Sequence, residues 1–221
     1  MKFIAYIRYF YFLLDNWDFK IAWYMIKQEI KGERKYKINT TGEDELIKLE
    51  ELGVDISHAT IYMPVNYYLL EEAFQQLPVS PRNHFLDMGC GKGRALCVAA
   101  HHGFNKVTGI DISKDLCEIA TGNLCLTNQN FPDLQFKVIN NDAFYFEIPD
   151  DVDCIFFFNP FDEIIMSAVV NNIFESLQNN PRKLNIIYVN PLYKEQFFKA
   201  GYNETWYSKK MKYIEAVILE N

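Results

Sequence analysis

This 221-residue sequence predicts an α/β fold built on a doubly wound, mostly parallel sheet, and three observations carry the reading. The stretch from Phe85 to Ser113 reads as strand, glycine turn, helix and strand. Downstream of it, short apolar runs alternate with helical runs, which is the pattern of repeated βα units. Near the end, Thr205–Lys209 and Tyr213–Leu219 lie close enough to pair as an antiparallel hairpin. An N-terminal helical extension over residues 1–57 is expected to precede a domain over 58–221.

The extension opens on FIAYIRYFYFLLDNWDFKIAWYMI, rich in aromatic residues and free of Gly and Pro until Gly32. Its length and composition predict a helix or a helix pair over residues 1–31. Arg8, Asp15, Asp18 and Lys20 interrupt the apolar run, so it is too short to span a bilayer. Packing on the domain is the plainest role. A homodimer interface, a cover over the substrate and peripheral membrane contact are the alternatives. Gly32 to Asn39 reads as a solvated link. A short acidic helix is expected from Thr40-Thr41-Gly42-Glu43 through Leu52, stopped by Gly53, and a second over Val65–Leu77.

Composition restricts the partners. The chain has 22 Lys and Arg against 29 Asp and Glu, a net charge of −7, which opposes binding to nucleic acid through its overall field. Residues 1–37 hold eight basic residues against four acidic, leaving 14 against 25 for the remainder. Cys90, Cys97, Cys117, Cys125 and Cys154 form no C-x-x-C pair and no grouping with histidine, so no metal site is expected. Their odd number and scatter read as reduced, cytoplasmic thiols.

Phe85-Leu86-Asp87-Met88 is the first strand, and Gly89, Gly91 and Gly93 follow it. Glycines let the backbone turn tightly and approach a ligand, and the helix after them presents a positive N-terminus. The second strand, Lys106–Ile110, ends in Asp111, where a carboxylate can accept hydrogen bonds from both ribose hydroxyls. Dinucleotide folds want G-x-G-x-x-G, yet here the spacing is G-x-G-x-G with Arg94 in the place of the third glycine. Asp87 would repel a pyrophosphate and suit a cationic amino-acid ligand. These features disfavour a nicotinamide-dependent oxidoreductase.

On these residues the sequence resembles the class I, seven-strand, Rossmann-like methyltransferases, whose first motif is D-x-G-x-G-x-G. The resemblance covers roughly Thr60 to Asn221. It implies S-adenosyl-L-methionine as methyl donor, with S-adenosyl-L-homocysteine as product. It also implies a cofactor site made of Asp87, Gly89, Cys90, Gly91, Gly93, Arg94, Asp111, Ile112, Asp142, Ala143 and Asn159. Asp142 matches the family residue that bonds the adenine amine, and the next N–H can serve adenine N1. The segment before the Val65–Leu77 helix commonly lies over the cofactor in this family, which makes Tyr62, Asn66 and Tyr67 candidates for lining the substrate.

The later elements follow in order. Ser113 is a natural N-cap for a helix from Lys114 to about Gln129, and Leu134–Ile139 is the third strand. Val152–Phe158 is nearly all apolar, as a strand buried on both faces would be. It leads into Asn159-Pro160-Phe161-Asp162, which resembles the N-P-P-[YF] motif of methyltransferases acting on amine or amide nitrogen, with one proline missing. The resemblance gives Asn159, Pro160 and Phe161 the task of orienting the acceptor. Oxygen or carbon methylation, or a cofactor-binding module without catalysis, are the alternatives. Asp162 could cap a helix over Glu163–Leu177, Leu184–Asn190 is the fifth strand, and Lys194–Ala200 is a short helix. The acceptor itself, a small molecule or a protein, is not specified by any motif.

Overall fold

The computed structural model describes residues 2–42, 63–78, 82–158, 161–210 and 214–221. A seven-stranded sheet forms its centre, in the order β3-β2-β1-β4-β5-β7-β6. The strands are β1 (His84–Met88), β2 (Lys106–Asp111), β3 (Gln135–Asn140), β4 (Cys154–Phe158), β5 (Asn185–Val189), β6 (Asn203–Lys210) and β7 (Ile214–Glu220). The first five run parallel, and β7 enters antiparallel between β5 and β6. Both the doubly wound class and the terminal hairpin agree with the sequence reading. Every residue of β1 is buried, and so is all of β4 except half-exposed Phe158, as central strands require.

Helices cover both faces. On one side lie α3 (Tyr67–Gln76), α4 (Arg94–His101) and α5 (Lys114–Asn128), packing Leu70, Phe74, Leu96 and Leu124 into the core with Phe85 and Phe156. On the other lie α6 (Glu163–Asn179) and α7 (Lys194–Lys199), which bury Met166, Val169, Ile173 and Phe197. Chain order reverses between β1 and β4, so a crevice opens beyond the carboxyl ends of those two strands.

The N-terminus folds as a helix pair, α1 (Lys2–Asn16) and α2 (Phe19–Tyr36), with Asp18 capping α2 through the Ile21 N–H. Tyr9, Leu13, Ile21, Ala22, Met25 and Ile26 make a third apolar cluster between them. Gly32 does not end the helix, contrary to the solvated link expected over Gly32–Asn39. A Cβ on Gly32 would stand 2.1 Å from Cδ2 of Tyr67, so glycine is there to let that ring lie against the α2 backbone. The helix stops instead at Lys37, in the left-handed conformation at φ 57. The acidic helix expected from Thr40 to Leu52 falls mostly outside the described residues.

Candidate active site

The glycine turn leaves β1 at Met88 and enters α4 at Arg94. Gly89, Gly91 and Gly93 all have positive φ, at 89, 50 and 78. Gly89 and Cys90 donate their N–H groups to the Ile110 carbonyl at 3.0 and 2.8 Å, fastening the turn to β2. At Gly93 two constraints coincide: the positive φ, and an added Cβ that would sit 3.0 Å from Cβ and 3.1 Å from Cα of Ala120 in α5.

Two carboxylates flank the turn. Asp87 is 3% exposed, and its carboxylate accepts no hydrogen bond from any described residue. Burial, with the nearby charge of Asp111, pushes its carboxyl well above the usual carboxylate range. Asp111 is better satisfied: one oxygen accepts from Gly91 N at 2.8 Å and the other from Ser113 N at 2.9 Å. Burial still outweighs these two bonds and raises its pKa. The Asn140 amide, which the sequence reading passed over, donates to the carbonyls of Asp111 (3.0 Å) and Ile112 (2.7 Å) and ties the end of β3 to the end of β2. Its signal was its position, one residue beyond the third apolar run.

Around this centre Cys90 is buried, its thiol pushed up by hydrogen bonding to Cys117 and by burial. Ile112 is half-exposed. Asp142 accepts from Phe144 N at 2.9 Å and caps the 3-10 turn Ala143–Tyr145, in which Ala143 is buried. Beyond β4, Phe161 is half-buried and packs against the α6 side of the core. Asp162 caps α6 by accepting from Ile164 N and Ile165 N. Asn159, Pro160 and Tyr62 lie outside the described residues.

Three expected site residues face elsewhere. The Arg94 guanidinium turns away from the glycine turn toward the N-terminal helices. It pairs with both oxygens of Glu29 (2.7 Å for Nη1–Oε1), donates from Nε to the Thr40 hydroxyl at 2.8 Å, and also reaches the Val65 carbonyl. Its face lies 4.0 Å over the ring of Tyr67. Tyr67 is 1% exposed, bonded to Thr40 and stacked on Tyr36, so its hydroxyl serves this joint and not a substrate. Asn66 is likewise buried: it caps α3 through Leu69 N, and its amide donates to the sulfur of Met25. A strong guanidinium acceptor outcompetes the surface of the turn for Arg94.

Glu33, one turn along α2, completes the joint. Burial opposes its charge, but hydrogen bonds from Tyr6, Thr40 N and the Thr41 hydroxyl and N–H hold its pKa below normal. Asn123 of α5 then bridges Asn39 to the carbonyl of Lys92 inside the turn. The strand of chain over residues 39–42 therefore lies against the glycine turn. The sequence carried a signal for this, since Glu29 and Glu33 fall on the same 3–4-spaced stripe as Ile21, Ala22, Met25 and Ile26.

A turn of this geometry, with one carboxylate at the end of each flanking strand, suits a nucleoside bearing a cation. A family model described as a methyltransferase domain matches residues 85–180. Over that segment the chain is similar to a methyltransferase domain, carried on the seven-strand sheet described above. Solved structures share its fold. A Pyrococcus horikoshii protein is 18% identical, with 69% of this chain and 87% of that one covered at a TM-score of 0.51. A SAM-dependent methyltransferase of Aquifex aeolicus is 16% identical, covering 80% and 98% at 0.52. The ribosomal protein L11 methylase of Lactobacillus delbrueckii is 14% identical, covering 68% and 76% at 0.50. No curated protein sequence matches the chain.

The match to a methyltransferase domain implies S-adenosyl-L-methionine as the cofactor. The residues present fit it. The Asp87 carboxylate, which accepts no hydrogen bond from a described residue, is the group that an ammonium would neutralise, and Asp111 keeps acceptor capacity beside the positive-φ turn.

Proposed function

We propose that this methyltransferase domain methylates a nitrogen acceptor on a small molecule or a protein side chain. The observation that carries the proposal is the sequence Asn159-Pro160-Phe161 directly after β4, the strand paired with β1 at Asp87. Residues 58–221 would make up the catalytic unit, with 1–57 as its extension. The five scattered cysteines support a cytoplasmic setting.

When bound, S-adenosyl-L-methionine would supply an electrophilic methyl group; the acceptor lone pair would form the new bond to that carbon as the carbon–sulfur bond breaks, with S-adenosyl-L-homocysteine as the leaving thioether. The chain's own part is orientation and charge. Asp87 would hold the ammonium, Asp111 the ribose hydroxyls and Asp142 the adenine amine, and the Ala143 N–H would serve the adenine ring. Cys90, Ile112 and the glycine backbone would line the cofactor. By the likeness of the Asn159-Pro160-Phe161 sequence to the N-P-P-[YF] motif, the Asn159 side chain and the Pro160 carbonyl would accept hydrogen bonds from the target NH, and Phe161 would lie against the planar acceptor. A base is needed only for an acceptor that arrives protonated. The missing second proline favours oxygen or carbon methylation as the second reading.

The test has two stages. Titration calorimetry with S-adenosyl-L-homocysteine, against NAD and NADP, is expected to show binding of the sulfur nucleoside alone. Methyl-labelled donor is then offered with amine, amide, hydroxyl and carbon acceptors to wild type and Asn159→Ala. Loss of turnover in the variant with unchanged cofactor binding supports the acceptor role; unchanged turnover rejects it.

A further inference from the structure

The α1–α2 pair is apolar on two sides. Its inner side holds the Tyr9–Ile26 cluster, while its outer side exposes Ile4 (58%), Ile7 (41%), Tyr11 (62%), Phe19 (64%) and Trp23 (49%). These outer residues include a continuous aromatic surface. The Phe10 ring meets Tyr11, Phe19 and Trp23 edge-on at 6.1, 6.2 and 6.4 Å, and Phe19 stacks on Trp23 with 7° between their planes. Scattered exposed apolar residues need no explanation, whereas a joined patch of large aromatics on two helices does.

The charges around the patch narrow the choice of occupant. Both glutamates of α2 face inward at 0% and 2% exposure, so the acidic side chains of this helix are withdrawn from its outer side. Arg8, Lys20, Lys27 and Lys31 remain exposed there, opposed by Asp15 and Asp18 at the turn between the helices. Lys27 lies 5.0 Å over the Trp23 ring. Beyond residue 37 the chain carries 14 basic against 25 acidic residues, so the molecule has a basic aromatic end and an acidic body. That polarity turns the helix pair toward an anionic surface and the catalytic body away from it.

We infer that the outer face of α1–α2 seats this protein on an anionic lipid bilayer, with the helices lying in the interface. Tyr, Trp and Phe beside Lys and Arg are the side chains that suit the headgroup boundary, where one end is apolar and the other wet. Neither helix is long and apolar enough to cross a membrane, so the contact is peripheral. A two-fold dimer through this face would set the same basic residues against themselves.

Flotation of the full chain with vesicles tests the inference, using phosphatidylcholine alone and phosphatidylcholine mixed with phosphatidylglycerol. The expected result is partition onto the mixed vesicles, lowered at least tenfold by high salt, by Phe19→Ser with Trp23→Ser, or by Lys20→Glu with Lys27→Glu. Because these side chains point outward, both double variants should keep the melting temperature and the S-adenosyl-L-homocysteine affinity of wild type, which separates lost contact from lost fold. Absence of partition, equal partition onto both vesicles, or a soluble dimer that Trp23→Ser dissolves would overturn the inference.

Discussion

Glu29 of α2 and Arg94 of α4 form a fully buried, two-pronged ion pair between residues 65 apart in the chain. The arginine directly follows Gly93, the last glycine of the turn after β1. What the N-terminal helices hold is therefore the start of the helix that the turn feeds.

Removing one partner leaves an uncompensated buried charge, at a cost of about 3–5 kcal/mol. Glu29→Ala should show that loss in urea unfolding, together with weaker S-adenosyl-L-homocysteine binding. Glu29→Leu combined with Arg94→Leu should recover most of the stability. A single variant that unfolds like wild type would show that the pair does not anchor the helices.

Asp87 sets stability against function. Its folded-state pKa lies above the unfolded 3.8, so its contribution is present below 3.8 and is lost as pH rises through the elevated value. Asp87→Asn should therefore raise the melting temperature of the unliganded protein at neutral pH. The same change should weaken S-adenosyl-L-homocysteine binding by roughly tenfold to a hundredfold, the equivalent of one charge-assisted bond of about 1.5–3 kcal/mol. In wild type, affinity should climb with pH as Asp87 ionises. Calorimetry across pH on both proteins decides it, and a flat profile in wild type would exclude Asp87 as the ammonium ligand.

Gly32→Ala opposes propensity to packing. Alanine favours a helix by about 1 kcal/mol, but the new methyl would overlap the Tyr67 ring, 2.1 Å from Cδ2 and 2.2 Å from Cγ. Overpacking of this kind costs about 1–3 kcal/mol, so the net change should be destabilising. Thermal unfolding reads the sign directly.

His84 gives the fold an acid limit. Its buried ring bonds Asp151 through Nδ1 and the Thr108 hydroxyl through Nε2, both at 2.8 Å. Burial lowers its pKa below 6.5 although Asp151 pulls the other way. Burial also works against the Asp151 charge, but hydrogen bonds from Lys106 and His84 bring that carboxyl down to about 2, so it stays ionised over the range that matters. The stability from the neutral ring is complete above 6.5 and is lost as pH falls from there through the folded value. Urea midpoints between pH 8 and pH 5 should fall in wild type and flatten in His84→Gln. Equal slopes would mean that another group sets the acid limit.

The sheet was readable because each of its strands announces itself locally: CIFFF at β4 is apolar throughout, and Asp111 closes β2. The glycine turn was readable for the same reason, as its spacing is a local matter of φ and ligand approach. The orientation of Arg94, Asn66 and Tyr67 was not readable because their partners lie far along the chain, at Glu29, Met25 and Thr40. Gly32 looked like a helix end because local propensity cannot register an aromatic ring arriving from α3. The missed cue was two carboxylates on an apolar stripe, a pattern that requires a buried partner.

The helix pair and the terminal hairpin also meet: Ile214, at the start of β7, packs against both the α1–α2 cluster and the main core. A ribosome would release the two helices long before the strand that seats them exists. Glu29 would leave the exit tunnel 65 residues ahead of its arginine. During synthesis α1 and α2 have to wait for β7, so a nascent chain stopped short of that strand should present its aromatic helices to whatever chaperone is nearest.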